Sequence, residues 1–454
     1  MLRERGIATF VSHSSLGAEE RRLAEQAFAQ RQNCVIVATS SLELGLDVGD
    51  LDRVIQIDAP GTVSSFLQRM GRTGRRADTT RNCLFLATND EGLLRGAALI
   101  DLWERRYVEP VKAPPQPYHI LAQQLMALIL QERGIGRSEW RKWVEMVPAF
   151  SEMSVENVSS LIDFMVSKRI LWSDNGILAF APEGESLFGR RNFMELLSVF
   201  TSPPLFRVVF GQKELGFVHE STFYRREAGP TVLVLAGRSW KTVHLDWKRR
   251  MAHVESSDEK GRSRWFGEGQ MLSHKVCQSI RRILASDDAQ PCWSQRASQQ
   301  LGELRQEFPW LSSDATVVLR KANGSIQWWT FAGGVANTIL ADALKSTCDV
   351  KGDNFCLRFS APFSVDVISE MLDRLSPTMV APMPSSEAME NLKFSGCLSP
   401  ELAVEVFSAR FSDRPAIQQS LAEPRRTVVE GDSRLPPTTS SRHDNDVIPN
   451  NWEG

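Results

Sequence analysis

Short apolar runs alternate with helical segments over residues 6–106, and this alternation constrains the fold more than any other feature of the chain. Each run has the length of a buried parallel strand. The strand candidates are Ile7–Val11, Cys34–Ala38, Val54–Ile57 and Cys83–Ala87, and the helical candidates are Ala18–Gln30, Val63–Met70 and Glu91–Arg106. Strands that alternate with helices predict βαβ units and a parallel sheet.

The run QRMGRTGR, residues 68–75, directly follows one of these helical segments. Its two glycines let the backbone approach a ligand closely, and its three arginines carry planar, permanently charged groups that match phosphate oxygens. The segment ATSSLELGLD, residues 38–47, lies upstream at the end of the second apolar run. An arginine cluster alone is as often a solvated surface, but the order and spacing of the two segments favour a phosphate site.

In this order and at this distance, the two segments resemble motifs V and VI of the second RecA-like lobe of superfamily 2 helicases. Further strings are similar to the large helicase-related (Lhr-type) DNA helicases: LWERRYVEPV, HILAQQLMAL, LAGRSWKTVHLDW, RWFGEG and WWTFAGGVAN. The resemblance covers most of residues 1–400. It implies ATP-dependent 3′ to 5′ translocation on single-stranded DNA, with unwinding of duplexes that include RNA–DNA hybrids, in a helicase of nucleic-acid repair type.

The resemblance also implies roles for individual residues. Arg72 and Arg75 would act as arginine fingers on the γ-phosphate of ATP, and Gln68 would help position the attacking water or couple the fingers to motif II. On the motif V turn, Gly45 would allow the tight backbone and Asp47 would contact the ribose or the network around Arg72. The residues expected to contact nucleic-acid phosphates are His13, Ser14, Ser15, Thr39 and Ser40.

The sequence contains no P-loop pattern and no acidic motif after an apolar strand, which are the features by which a first RecA-like lobe binds ATP and magnesium. ATP and Mg²⁺ would therefore bind only with such a lobe supplied, and we expect no ATP hydrolysis from this chain alone. Three alternatives stay open. The chain is the C-terminal part of a helicase whose first lobe comes from a split gene or a separate polypeptide, or a non-catalytic nucleic-acid-binding protein, or a relic of a truncated gene with an exposed apolar patch.

Composition narrows the class of protein. The net charge of −2 argues against indiscriminate electrostatic binding but not against a local basic stripe. The seven cysteines are scattered without C-x-x-C spacing, so we propose no metal site. No apolar run reaches the length of about 18 residues that spans a membrane, and we expect a cytoplasmic location.

The predicted fold class is multidomain α/β: a partial RecA-like parallel-sheet lobe, a winged helix, a small β-barrel-like domain and a mixed α/β C-terminal domain. The winged helix is predicted from three helical segments followed by residues 170–180, which are typical of a hairpin with an Asn-Gly turn. The predicted boundaries are 1–106 for the lobe, 107–118 for a proline-rich linker, 119–190 for the winged helix, 191–290 for the β-barrel-like domain with its following helix, 291–421 for the C-terminal domain and 422–454 for a disordered tail.

Several tryptophans are candidates for stacking on bases, although each is more often part of a core. Trp140, Trp143 and Trp172 fall in the predicted winged helix. In the β-rich region, Trp247 is followed directly by Lys248, Arg249 and Arg250. The alternative to base stacking here is that the tryptophan belongs to a barrel core and the cations to its charged outer face.

Overall fold

The computed structural model describes most of the chain between Leu2 and Glu430. The described residues are 2–13, 16, 22–24, 26–27, 33–39, 51–75, 78–144, 146–201, 205–223, 231–235, 238–257, 270–287, 292–360, 363–376, 389 and 392–430. Among them, no helix is long and apolar enough to cross a membrane. The fold is multidomain α/β, as the sequence predicts.

The N-terminal region contains parallel strands, as predicted. Its elements are a 3-10 turn at Arg3–Arg5, β1 (Ala8–Ser12), β2 (Cys34–Ala38), β3 (Val54–Ile57), α1 (Val63–Met70), β4 (Cys83–Leu86) and α2 (Asp90–Glu104). β1 pairs in parallel with β2, and β3 pairs in parallel with β4. The bounds of β2, β3 and α1 are those expected from the sequence. Of the expected helix Ala18–Gln30, the residues described, 22–24 and 26–27, are helical.

Residues 118–188 form a small unit of helices and a three-stranded antiparallel sheet, the composition predicted for a winged helix. Its elements are α3 (Tyr118–Glu132), β5 (Ile135–Gly136), α4 (Arg141–Val144), α5 (Pro148–Ser151), α6 (Val155–Ser167), β6 (Leu171–Asp174), β7 (Ile177–Phe180) and α7 (Pro182–Phe188). Asn175 and Gly176 both have positive φ, as the two-residue hairpin turn requires. Of residues 138–147, the structure describes all but 145, and among these Arg141–Val144 (α4) are α-helical.

The β-rich region is one five-stranded sheet in the order β10-β11-β12-β8-β9. The strands are β8 (Leu205–Phe210), β9 (Lys213–His219), β10 (Val232–Leu235), β11 (Arg238–Asp246) and β12 (Met251–Ser256), with 3-10 turns at Phe193–Leu197 and Glu220–Phe223. Its inner face carries Phe206, Val208, Leu233, Trp240 and Ala252. Residues 238–242 belong to strand β11.

The C-terminal region builds a second five-stranded sheet, in the order β15-β16-β14-β13-β17. Its elements are α8 (His274–Ala285), α9 (Gln295–Glu307), β13 (Thr316–Arg320), β14 (Ile326–Trp329), α10 (Gly334–Leu344), β15 (Val350–Gly352), β16 (Cys356–Phe359), α11 (Val365–Asp373), a 3-10 turn at Ser395–Cys397, α12 (Pro400–Arg410), α13 (Arg414–Ala422) and β17 (Arg425–Val429). Trp328 is fully buried in its core.

Three of the domain boundaries predicted from the sequence differ from the structure, because segments that are distant in the sequence pack together. Helix α8, assigned to the β-barrel-like domain, instead packs on α2 of the lobe, where Ser279 Oγ donates to Asp101 Oδ2 at 2.6 Å. Helix α12 buries Leu402 and Val406 in the core of the unit formed by residues 118–188. Strand β17 lies within the segment predicted to be a disordered tail and pairs in parallel with β13, so the prediction for residues 425–429 was wrong.

Candidate functional site

Helix α1 positions the arginine-rich turn, the segment of residues 68–75. Two side chains hold the N-terminus of this helix. Thr62 Oγ1 accepts from Ser65 N, while the Glu109 carboxylate accepts from Val63 N at 2.8 Å and Ser64 N at 2.9 Å. A carboxylate at this end also interacts favourably with the helix dipole. Glu109 lies in the proline-rich linker, so the linker fixes the helix that precedes the turn.

The apolar face of α1 fixes its rotation about the helix axis. Val63, Phe66 and Met70 are buried, at the spacing of one helix face. The Phe66 ring lies 5.2 Å from the ring of Phe85 on β4 and 6.0 Å from that of Trp103 on α2. Burial of this face leaves Gln68 exposed on the opposite side.

The turn after α1 depends on its buried threonine and its second glycine. Thr73 Oγ1 donates to Met70 O and accepts from Asn82 N, both at 2.8 Å. Gly74 has φ +69°, and a Cβ there would lie 2.6 Å from Arg81 N. Only glycine fits this position without a backbone shift, because it tolerates both the left-handed conformation and the close approach.

The arginines of the turn have different surroundings. Arg69 Nη1 donates to Gln56 Oε1 at 2.5 Å, which ties α1 to β3. Arg72 is half-buried, and its carbonyl accepts from Leu51 N at 2.9 Å. Arg75 is exposed and its Nε donates to Gly71 O at 3.0 Å. Gln68, Arg72 and Arg75 therefore lie within one helical turn and the loop that follows it.

Two of the residues expected to contact nucleic acid lie side by side. His13 follows β1 and Thr39 follows β2, and the last residues of these strands, Ser12 and Ala38, are paired in register. Both residues thus lie at the carboxyl edge of the parallel strands, where ligands bind in open α/β sheets. Thr39 is exposed, while partial burial lowers the pKa of His13 below its ordinary value and favours the neutral imidazole at pH 7.

The remaining predicted site residues lie outside the described part of the chain: Ser14, Ser15, Ser40, Gly45 and Asp47. Among the described residues, no group of three or more His, Cys, Asp or Glu side chains could hold a metal ion.

Sequence reasoning missed a second polar contact at the carboxyl ends of the strands. Asp58 follows β3, and its carboxylate accepts from Thr88 N at 2.9 Å and Thr88 Oγ1 at 2.8 Å beyond the end of β4. The signal available was the position of an aspartate directly after an apolar run. No local pattern indicated that Glu109 would cap α1, because the contact joins segments 45 residues apart.

The tryptophans of the unit formed by residues 118–188 differ in their exposure to solvent. Trp140 is buried in the core, so packing explains it. Trp143 on α4 and Trp172 on β6 are 52% and 61% exposed, so neither is a core residue.

Comparison with known proteins agrees with this arrangement. Residues 1–77 match the family model of the helicase conserved C-terminal domain. Over 280 residues, 60% of this chain, it is 25% identical to ATP-dependent helicase Lhr-Core protein 2 of Thermococcus barophilus. Over 281 residues it is 26% identical to the Lhr helicase/uracil glycosylase of Escherichia coli. The matched regions make up 32% and 18% of these relatives, so the chain spans a third of their length or less.

A solved structure shows the same fold. The helicase Lhr of Mycobacterium smegmatis, bound to single-stranded DNA and AMP-PNP, superposes with a TM-score of 0.60 at 17% identity. The match covers 94% of this chain and 62% of that protein, so it includes the regions on both sides of the linker.

Proposed function

We propose that this chain, which is similar to the Lhr-type superfamily 2 helicases, is the C-terminal part of an ATP-dependent 3′ to 5′ DNA helicase. In this function it contributes arginines to an ATP site and phosphate contacts to a nucleic-acid strand. The observation that carries the proposal is the arginine turn, which α1, Thr73 and Gly74 hold in one defined conformation.

Arg72 and Arg75 suit contact with a triphosphate. A guanidinium placed against the γ-phosphate stabilises the negative charge of the phosphoryl-transfer transition state. Gln68, exposed one helical turn earlier, would orient the attacking water. ATP and Mg²⁺ would be held mainly by a first RecA-like lobe, since this sequence contains no P-loop. When bound, Mg²⁺ would neutralise charge that develops on the β- and γ-phosphates.

His13 and Thr39 supply the nucleic-acid side of the proposal. Their juxtaposition at one sheet edge suits hydrogen bonds to successive phosphates, which position a strand without reading its sequence. The relative bound to single-stranded DNA supports a single strand as the ligand, and we extend this to RNA–DNA hybrids on the family resemblance.

Complementation with a first lobe tests the ATPase role. A polypeptide that carries the P-loop and acidic motif of a relative would be mixed with this chain, and DNA-stimulated ATP hydrolysis would be measured. We expect restored hydrolysis that Arg72→Ala or Arg75→Ala lowers about 10³-fold or more. The matched control is Arg53→Ala, which removes an exposed arginine before β3 and should leave the rate unchanged. Hydrolysis that survives both turn variants would refute the arginine-finger role.

The absence of a P-loop from the sequence favours one second candidate, a non-catalytic nucleic-acid-binding protein that keeps the lobe as a scaffold. The same experiment separates the two functions. Under this second function the chain binds single strands, but no added first lobe restores hydrolysis.

A further inference from the structure

The turn that joins β11 to β12 concentrates cations beside an aromatic ring. It consists of Trp247, Lys248, Arg249 and Arg250, and all four side chains are exposed. Arg250 has φ +48°, which lets the chain reverse there. The Arg250 carbonyl accepts from Arg207 N at 2.8 Å, so the turn is fixed to the neighbouring strand β8.

Positive charge exceeds negative charge at this end of the sheet. Within the described part of the chain, Lys248 and Arg250 make no ion pair. The ion pairs of the neighbouring arginines are long, with Asp246 Oδ2 4.0 Å from Arg249 Nε and Glu214 Oε2 4.0 Å from Arg207 Nη1. Ion pairs this long and exposed hold a side chain weakly, so the cations can turn toward an anionic ligand.

Trp247 is held in place without being buried. Its ring meets the fully buried Phe206 edge to face, with ring centroids 4.9 Å apart and an interplanar angle of 79°. The indole nevertheless remains 47% exposed. A ring with a fixed orientation and an accessible surface offers a stacking platform, and adjacent cations suit the phosphates that flank a stacked base.

We propose that this turn, residues 247–250, together with Arg207, binds single-stranded nucleic acid. A base stacks on Trp247, and flanking phosphates contact Lys248, Arg249 and Arg250. A single strand fits better than a duplex because only an unstacked base can present its face to an indole. The proposal rests on nucleic-acid binding by this chain and adds a contact on the β-rich sheet, outside the RecA-like lobe.

The test uses the full chain and a fluorescein-labelled oligothymidine, with binding followed by fluorescence anisotropy at several salt concentrations. Trp247→Ala should weaken binding about fivefold to a hundredfold, while Trp247→Phe keeps most of the affinity because a ring remains. Lys248→Ala with Arg250→Ala should lower the slope of log affinity against log salt by about 1.4, since each phosphate contact contributes about 0.7. The control, Lys351→Ala with Arg374→Ala, removes two exposed cations from the C-terminal region and should leave the slope unchanged.

Three outcomes are decisive. Loss of affinity in Trp247→Ala with rescue in Trp247→Phe, and a reduced slope only in the turn variant, supports the proposal. Equal binding by wild type and the turn variants overturns it while leaving the proposed function intact. No binding by wild type overturns both. Because Trp247 packs on Phe206, each variant's thermal unfolding is measured. If Trp247→Ala unfolds, the double variant Lys248→Ala with Arg250→Ala, at two exposed side chains, decides the question.

Discussion

A single buried guanidinium joins three distant segments of the C-terminal region. Arg281 on α8 is 1% exposed, and its Nε donates to Ser312 O at 2.7 Å. Its Nη1 donates to Glu423 Oε2 at 2.7 Å and its Nη2 to Ala315 O at 2.5 Å. These contacts hold the loop before β13 and the segment before β17, and Nη1 also donates to Gln278 Oε1 on α8 at 3.3 Å.

Arg281→Ala should lower the free energy of unfolding by about 3–5 kcal/mol, because it strands a partly buried carboxylate and two carbonyls without donors. Urea unfolding followed by circular dichroism measures the change. Arg374→Ala, which removes an exposed partner of Glu370 with 3.9 Å between Nη2 and Oε2, is the control and should cost under about 0.5 kcal/mol. Equal losses in the two variants would contradict this role for Arg281.

Gly74 allows a comparison between two glycines of similar φ. Gly74 (φ +69°) has no room for a Cβ, whereas Gly211 (φ +60°), in the turn between β8 and β9, has no atom within 4 Å of the Cβ position. Gly211→Ala should therefore cost only the left-handed backbone strain, about 1–2 kcal/mol. Gly74→Ala should cost clearly more, because Arg81 N must also move. Urea midpoints of the two variants give the difference, and a smaller loss at Gly74 would show that the turn adapts freely.

At the scale of elements, the core of the unit formed by residues 118–188 depends on helix α12, which comes from the C-terminal region of the sequence. α12 packs on α3, and His119 Nε2 lies 3.3 Å from Arg410 Nη1 across this joint. A neutral imidazole accepts the arginine proton there, but an imidazolium would face a like charge. Burial, and then the charge of Arg410, lower the pKa of His119 from 6.5 to about 4.

This lowered pKa predicts a pH dependence of unfolding. Above about pH 6.5 the folded and unfolded states both hold a neutral His119, so its contribution is fully present. As pH falls toward 4 the unfolded state binds the proton first, and stability is lost. His119→Gln should reduce the drop in urea midpoint between pH 7 and pH 4.5, while His244→Gln, at an exposed position on β11, should not. An unchanged drop in His119→Gln would exclude His119 as its source.

The sequence predicts whether a segment forms a strand or a helix where its local pattern of apolar residues agrees with its burial in the structure. Cys34–Ala38 and Val54–Ile57 are short apolar runs bounded by polar residues, and both became strands with the expected bounds. Met251–Ser256 and Arg425–Val429 are strands through their pairing. Met251–Ser256 pairs antiparallel with β11 and in parallel with β8. Arg425–Val429, within the segment predicted to be a disordered tail, pairs in parallel with β13, which lies far away in the sequence.

At the scale of the whole molecule, the arginine turn could be predicted from the sequence, but its supports could not. Spacing of glycine and arginine identifies Arg72 and Arg75 as neighbours. The Glu109 cap on α1 and the contact of Arg282 Nη2 with Asp101 Oδ2, at 2.6 Å, depend on long-range packing. The second contact joins the lobe to α8, so residues far beyond the family match at 1–77 belong to the lobe's core.

The lobe also leaves an apolar sheet face accessible. Ile55 pairs with Leu84 and Ile57 with Leu86 across β3 and β4, and all four side chains are between 43% and 66% exposed. Parallel sheets normally have both faces covered, and here α1 and α2 cover only the face that carries Phe85. Uncovered aliphatic pairs favour association between molecules.

Substituting lysine for these isoleucines should therefore reduce self-association with little loss of stability. Sedimentation velocity over a range of concentrations should show less oligomer for Ile55→Lys with Ile57→Lys than for wild type, because lysine on an exposed sheet face opposes docking of a second apolar surface. Val243→Lys, at a 59% exposed position on β11, is the matched control and should leave the distribution unchanged. A first RecA-like lobe can also be added to wild type. If the lobe binds without changing the extent of self-association, the surface that self-associates lies away from the surface that binds the lobe. Oligomers that persist in the double variant would show that another surface drives association.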